Sequence, residues 1–299
     1  MSKYLIGCDD GHGMETAGKR TPPLRGKLSF RGKEFKKGSI IHENDFNENL
    51  MELFIKGCKR CGLDSIQLAP GDSDIPLSAR VSKANSKGCD IVVSFHANAL
   101  SGEKWQTKAH GLVVIKHENC QSKTDALAKN IYKYLSDEDD VDWYKDGGTR
   151  YGVREDTDIS GFSLYILRNT KMPAVLIEYG FMDHWEDVKR MVKPSFQKSC
   201  AEATLKGVCK TLGVPYKALE SSDGTNTSKP PSKPSNGEFK VRIISNTLNV
   251  RSNPSIKYPI VGEVKKGEAF VIVDETNGWG KLKSGAGWIS LGEKYVVKL

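Results

Sequence analysis

Apolar positions in the first two-thirds of the chain follow two patterns in turn. Short continuous runs at residues 4–8, 65–68, 91–95, 111–116 and 174–178 read as buried strands, because a strand covered on both faces shows no polar alternation. Between them, residues 44–61 set Phe46, Leu50, Leu53, Phe54 and Cys58 along one helical stripe. Residues 77–86, 123–135 and 196–212 repeat that spacing. The alternation predicts an α/β domain over residues 1–216, a twisted, mostly parallel sheet flanked by helices. Two stretches break the pattern. Residues 14–41 are basic and rich in Gly and Pro, which predicts a loop or small hairpin beside His12. Residues 137–161 are acidic and then Gly-rich, which predicts a surface crossing near the same place.

After residue 216 the character changes twice. Residues 217–237 predict a linker: from Glu220 to Gly237 there is no apolar residue, so the segment cannot bury enough surface to offset its own ordering. A flexible run of that length reaches about 20–25 Å. Residues 238–299 then alternate in short runs, at 239–243, 248–251, 269–275, 279–282, 287–290 and 295–298. Turn pairs such as Asn277-Gly278 and Ser284-Gly285 separate them, and no helix fits. The expectation is a small all-β barrel.

Composition narrows the partners. A net charge of +8 and a pI near 9.0 suit polyanionic surroundings, either nucleic acid or a bacterial wall carrying anionic polymers. The basic residues are scattered, with no tail or stripe, so nucleic acid is not an expected partner. No apolar stretch approaches the about 18 residues that span a bilayer, so no membrane insertion is expected. The apolar run at the N-terminus is too short for a signal peptide and meets acids at once. That predicts synthesis in the cytoplasm and a separate route to any work beyond the membrane. Seven cysteines without a secretory signal argue against a disulfide framework, and Cys58 and Cys61 read as two buried thiols on one helix.

Four residues carry the candidate chemistry. His12 lies in Asp9-Asp10-Gly11-His12-Gly13, Glu43 opens a helical stretch, His96 follows Ile91-Val92-Val93-Ser94-Phe95, and Glu178 follows Ala174-Val175-Leu176-Ile177. Three of the four stand at the end of a buried-strand run, where open α/β sheets place their ligands. Two imidazoles and a carboxylate make a zinc triad with an open position for water, and a second carboxylate can serve as base. The glycines around His12 let the backbone turn sharply. Glu178, directly after an apolar run, is expected to be partly buried and to want a cation. Each residue also has an ordinary structural role open to it; Glu43 would suit any helix N-terminus. His42, His110, His117 and His184 compete as ligands, and spacing leaves His42 and His184 in contention.

These segments together resemble the zinc-dependent N-acetylmuramoyl-L-alanine amidases. The resemblance covers about residues 4–212 and rests on Asp9-Asp10-Gly11-His12-Gly13, Glu43-Asn44-Asp45-Phe46-Asn47, Leu77-Ser78-Ala79-Arg80 with Ala84-Asn85, Ser94-Phe95-His96-Ala97-Asn98-Ala99 and Pro173-Ala174-Val175-Leu176-Ile177-Glu178-Tyr179-Gly180-Phe181. It implies that His12, Glu43 and His96 bind Zn²⁺ and that Glu178 is the catalytic glutamate. Asp10 departs from the family, standing where proline is usual. Residues 16–22 resemble phage and clostridial or bacillar members, which suggests a substrate loop with Lys19 and Arg20 facing an anionic part of the wall.

Residues 238–299 resemble bacterial Src-homology-3-like domains through Leu248-Asn249-Val250-Arg251-Ser252-Asn253-Pro254, Gly278-Trp279-Gly280-Lys281 and Gly287-Trp288-Ile289. That implies binding to peptidoglycan, with Trp279 as a candidate contact; either tryptophan could instead be barrel core. Ten basic against six acidic residues in this region fit an anionic wall. The whole arrangement resembles a phage endolysin hydrolysing the amide between N-acetylmuramic acid and L-alanine. A zinc peptidase cutting elsewhere in the stem peptide or cross-bridge, a host autolysin, and a wall-binding protein with a decayed catalytic domain are the competing readings.

Overall fold

The computed structural model describes residues 3–138, 152–219 and 239–299, apart from 252, 257, 259 and 277. The chain divides into two units, Met1–Glu220 and Ser221–Leu299. Residues 220–238, which hold most of the expected linker, lie outside the described residues.

In the first unit the elements run β1 (Leu5–Asp9), β2 (Leu28–Phe30), β3 (Lys33–Phe35), α1 (Glu43–Arg60), β4 (Asp64–Gln67), α2 (Leu77–Lys87), β5 (Ile91–Asn98), β6 (Val113–Lys116) and α3 (Ser122–Ser136). They continue as β7 (Gly152–Glu155), α4 (Asp156–Ser160), α5 (Tyr165–Asn169), β8 (Ala174–Phe181), α6 (Trp185–Met191) and α7 (Pro194–Leu212). Six strands form one sheet in the order β4-β1-β5-β8-β6-β7. The first four are mutually parallel, β6 runs antiparallel to β8, and β7 is parallel to β6.

Successive side chains of a strand point to opposite faces, and both faces here are covered. On one, Phe46, Leu50 and Phe54 of α1 pack with Leu127 and Ile131 of α3 and Leu205 and Val208 of α7 over Ile6, Val93, Phe95, Val175 and Ile177. On the other, Val81 and Ala84 of α2 and Ile166 and Leu167 of α5 cover Val92, Val113, Ile115 and Leu176. Double coverage explains why β5 and β8 read as unbroken apolar runs.

Of the expected surface crossing at residues 137–161, residues 139–151 lie outside the described residues; beyond them β7 and α4 form, and β7 is the edge strand two places from β8. Every residue of β7 is only half-buried, so Gly152-Val153-Arg154-Glu155 carries no strand-like pattern. Residues 14–41, by contrast, do contain the small hairpin, β2 with β3.

The second unit contains β9 (Phe239–Ile243), β10 (Thr247–Arg251), β11 (Ile260–Lys265), β12 (Ala269–Thr276), β13 (Trp279–Leu282), β14 (Trp288–Ser290) and β15 (Val296–Lys298). They make an antiparallel sheet in the order β11-β10-β14-β13-β12-β9-β15 around a core of Val241, Ile243, Val250, Ile272, Leu282 and Ile289. One strand, β11, leaves no sequence pattern. Only Val264 in it is buried, while Ile260 and Val261 are exposed, so the apolar-in alternation fails there.

Candidate metal centre

Elements far apart in sequence converge beyond the end of β1. His12 is three residues past that strand and has φ of +65°, a left-handed conformation that non-glycine residues rarely adopt. The neighbouring glycines are needed for room. A Cβ on Gly11 would lie 2.1 Å from the His96 imidazole, and one on Gly13 would lie 2.4 Å from the backbone nitrogen of Asp74. The turn at His12 is therefore made by the histidine itself, while the glycines admit its neighbours.

α1 holds this turn from the other side. Asn44 Nδ2 donates to the carbonyls of Asp10 and His12 at 3.2 and 3.1 Å, and Asn47 Nδ2 donates to that of Gly11 at 2.9 Å. Residues 43, 44 and 47 share one helix face by the three- and four-residue spacing. Sequence reasoning misses the positioning role of Asn44 and Asn47, although that spacing is the available signal. Beneath, Arg80 is fully buried and donates to Asp9 Oδ1 at 2.8 Å and Asp74 Oδ1 at 2.9 Å. Asp74 Oδ2 in turn accepts from Thr16 Oγ1 at 2.6 Å, and Thr16 Oγ1 accepts from the Gly13 amide at 2.9 Å.

The three expected ligands come together. Ligand atoms of His12, Glu43 and His96 lie within 4.8 Å of one another. His12 Nε2 is 3.6 Å from Glu43 Oε2, and His96 Nδ1 is 3.1 Å from Glu43 Oε1. Oε1 also accepts from the Ala97 amide at 3.2 Å, whereas Oε2 accepts no hydrogen bond although Glu43 is only 1% exposed. A buried carboxylate oxygen left open beside two imidazoles is a donor set suited to a divalent cation, and N/O ligands of this kind are those zinc takes. Neither His42 nor His184 joins this group; His184 Nδ1 instead meets Asp187 Oδ1 at 3.2 Å.

The electrostatics favour the same use. Burial pushes the His12 imidazole down to about 4, so it is neutral, as a ligand must be. For Glu43 burial acts upward, but the hydrogen bond with His96 and the charges of His12, His96 and Lys19 outweigh it and hold the carboxyl well below its ordinary range. Burial likewise lowers His96, yet its hydrogen bond with Glu43 and the charge of that carboxylate raise it overall.

Glu178 sits on β8 directly beside His96 in the parallel ladder. The residue is half-buried, its Oε2 is shut off from solvent and accepts no hydrogen bond, and burial pushes its carboxyl up to about 7, aided by Glu43. A carboxyl poised near neutrality can take a proton and return it.

The remaining candidates are placed as follows. Lys19 Nζ lies 3.7 Å from Glu43 Oε2 with its side chain 41% exposed. Arg20 is exposed, and its backbone forms a bridge with His42. In the second unit Trp279 is half-buried on β13, whereas Trp288 is 9% exposed with Lys281 Nζ 5.8 Å from its ring centre.

Comparison with known proteins gives the arrangement relatives. The family described as N-acetylmuramoyl-L-alanine amidase matches residues 6–210, and the bacterial SH3 domain matches residues 246–297. The endolysin of Bacillus phage SPP1 is 30% identical over 239 residues, covering 76% of this chain and 79% of that protein. The germination-specific N-acetylmuramoyl-L-alanine amidase of Bacillus subtilis is 27% identical over 70% of this chain and 79% of its own length. Among solved structures, an N-acetylmuramoyl-L-alanine amidase from Clostridium difficile 630 shares the fold with a TM-score of 0.53 at 21% identity, covering 75% of this chain and all of that one.

Proposed function

Since the chain belongs to the N-acetylmuramoyl-L-alanine amidase family, we propose that His12, Glu43 and His96 hold Zn²⁺ and that Glu178 is the catalytic glutamate of a cell-wall lytic enzyme. The chain is a peptidoglycan amidase and cleaves the amide between N-acetylmuramic acid and L-alanine. The observation that carries the site assignment is the open, buried Glu43 Oε2 facing His12 with His96 alongside.

Bound there, Zn²⁺ supplies Lewis acidity, which brings a water pKa from 15.7 toward about 7 and polarises a carbonyl. The protein's own groups do the rest. Glu178, near neutrality, accepts the proton given up by the attacking water and passes it to the leaving nitrogen of L-alanine. His12, neutral at working pH, and Glu43, ionised, keep the ligand set in the form that binds metal. Asn44, Asn47 and the Arg80 bridges fix the His12 turn so that ligand positions do not drift.

Arg20, exposed on the loop beside the centre, meets anionic groups of the wall polymer, while the ammonium of its neighbour Lys19 lies against Glu43. Residues 1–216 form the catalytic domain, joined through residues 217–237 to residues 238–299, which bind peptidoglycan with Trp279 among the contacts. Similarity to a phage endolysin over most of both chains favours a phage lytic enzyme over a host autolysin. Such an enzyme is made in the host cytoplasm and reaches the wall after the membrane is breached; among the described residues no helix is long and apolar enough to cross a membrane.

Mass spectrometry of muropeptides released from purified walls tests the reading. An amidase leaves stem peptides with a free N-terminal L-alanine and intact glycan strands. Release of new amino groups only inside the stem or cross-bridge would establish a peptidase instead.

A further inference from the structure

Glu43 presents an electrostatic problem that a side chain outside the ligand set helps to solve. Its carboxylate is almost fully buried, and an ionised carboxylate in that position is costly unless a cation faces it. Oε1 is satisfied by the Ala97 amide and His96. Oε2 accepts no hydrogen bond and faces two nitrogens, His12 Nε2 at 3.6 Å and Lys19 Nζ at 3.7 Å. Of these two, Lys19 brings a full positive charge.

Its placement is built in at the backbone. The Lys19 amide donates to the Thr16 carbonyl at 3.2 Å, and the Lys19 carbonyl accepts from the Glu43 amide at 2.9 Å. Arg20, the next residue, bridges His42, the residue that precedes α1. The root of the lysine is thus fastened to the first turn of the helix that presents Glu43, and its ammonium is directed at the oxygen a metal would use.

We propose that Lys19 and a divalent cation compete for Glu43 Oε2, so that Lys19 steadies the ligand cradle before metal loading and lowers the affinity of the centre for metal. The inference rests on the metal-centre reading above. Its physical basis is that an ammonium and a divalent ion around one carboxylate oxygen repel each other in a partly buried site, where screening is weak. Lys19 is in this sense a positioning residue whose charge sets how readily the site loads.

The test uses the full chain as wild type, K19M and K19R. Zn²⁺ affinity is measured by competition with a chromophoric chelator near neutral pH, and thermal melting is followed in excess chelator and in saturating Zn²⁺. K19M is expected to bind Zn²⁺ about tenfold more tightly than wild type. It should melt lower than wild type in chelator, with the gap closing in Zn²⁺, while K19R follows wild type in both. Equal or weaker binding by K19M, or a melting shift of the same size with and without Zn²⁺, would overturn the competition. Failure of the wild type itself to take up Zn²⁺ would instead overturn the metal-centre reading, and the proposal with it.

Discussion

His96 and Glu178 are lateral neighbours on β5 and β8, one rung of a parallel ladder that sets the proposed metal ligand beside the proposed catalytic carboxylate. The pairing fixes their separation through main-chain hydrogen bonds of two central strands, so the two side chains keep their relative placement. Glu178→Gln preserves the shape and removes the base. We expect turnover of purified walls to fall by about 10²–10⁴-fold with zinc content unchanged. Because its burial pushes the carboxyl up to about 7, the wild-type rate should climb as pH rises through that value, when the base loses its proton. A pH–rate profile checks this, and survival of the same acid limb in Glu178→Gln would refute the assignment.

Metal uptake should release a proton. The hydrogen bond and charge of Glu43 hold His96 above its ordinary range against the effect of burial, and a zinc ligand must be neutral. Zinc affinity is therefore expected to strengthen as pH rises and to weaken as His96 protonates. Calorimetric titrations in two buffers of different ionisation enthalpy will reveal the proton as a buffer-dependent heat. An identical heat in both would mean that none is released.

Asp10 brings a titration of its own. It is buried, its Oδ1 accepts no hydrogen bond, and burial, reinforced by Asp9, pushes its carboxyl up to about 7. The folded state then keeps a proton that the unfolded chain has already lost, so this residue costs stability as pH rises from about 4 to about 7. Asp10→Asn should raise the melting temperature at pH 8, and the gain should vanish toward pH 4. Thermal melts at the two pH values decide it.

Arg80 ties the floor of the site together, and its side chain is 1% exposed between Asp9 and Asp74. Arg80→Met would leave the Asp9 carboxylate buried without its cation, a loss of about 3–5 kcal/mol for a broken buried pair. Urea denaturation, followed through the unfolding transition of the first unit, measures it. A change under about 1 kcal/mol would show that the bridge adds little.

Much of the fold is legible in the order of residues alone. Runs such as Ile91–Phe95 and the stripe of Phe46, Leu50 and Phe54 follow directly from burial on two faces or one. The same logic cannot see β7 or β11, edge-type strands whose residues are too exposed to leave a periodic trace. Local pattern also leaves His42 and His184 as open candidates for ligation.

The sequence by itself determined most of the elements, the change of character after residue 216, and, through family resemblance, which four residues to watch. Tertiary structure alone decided their meeting. Convergence of His12, Glu43 and His96 depends on strand order and on a left-handed turn at His12, which side-chain periodicity does not encode. The tight fit that makes Gly11 a requirement of His96, and the approach of Lys19 to Glu43 Oε2, are likewise contacts between residues distant in the chain. Burial and charge at such contacts, rather than residue type, move Glu178 upward and Glu43 downward, and so separate the two carboxylates into the forms that the proposed base and the proposed ligand need.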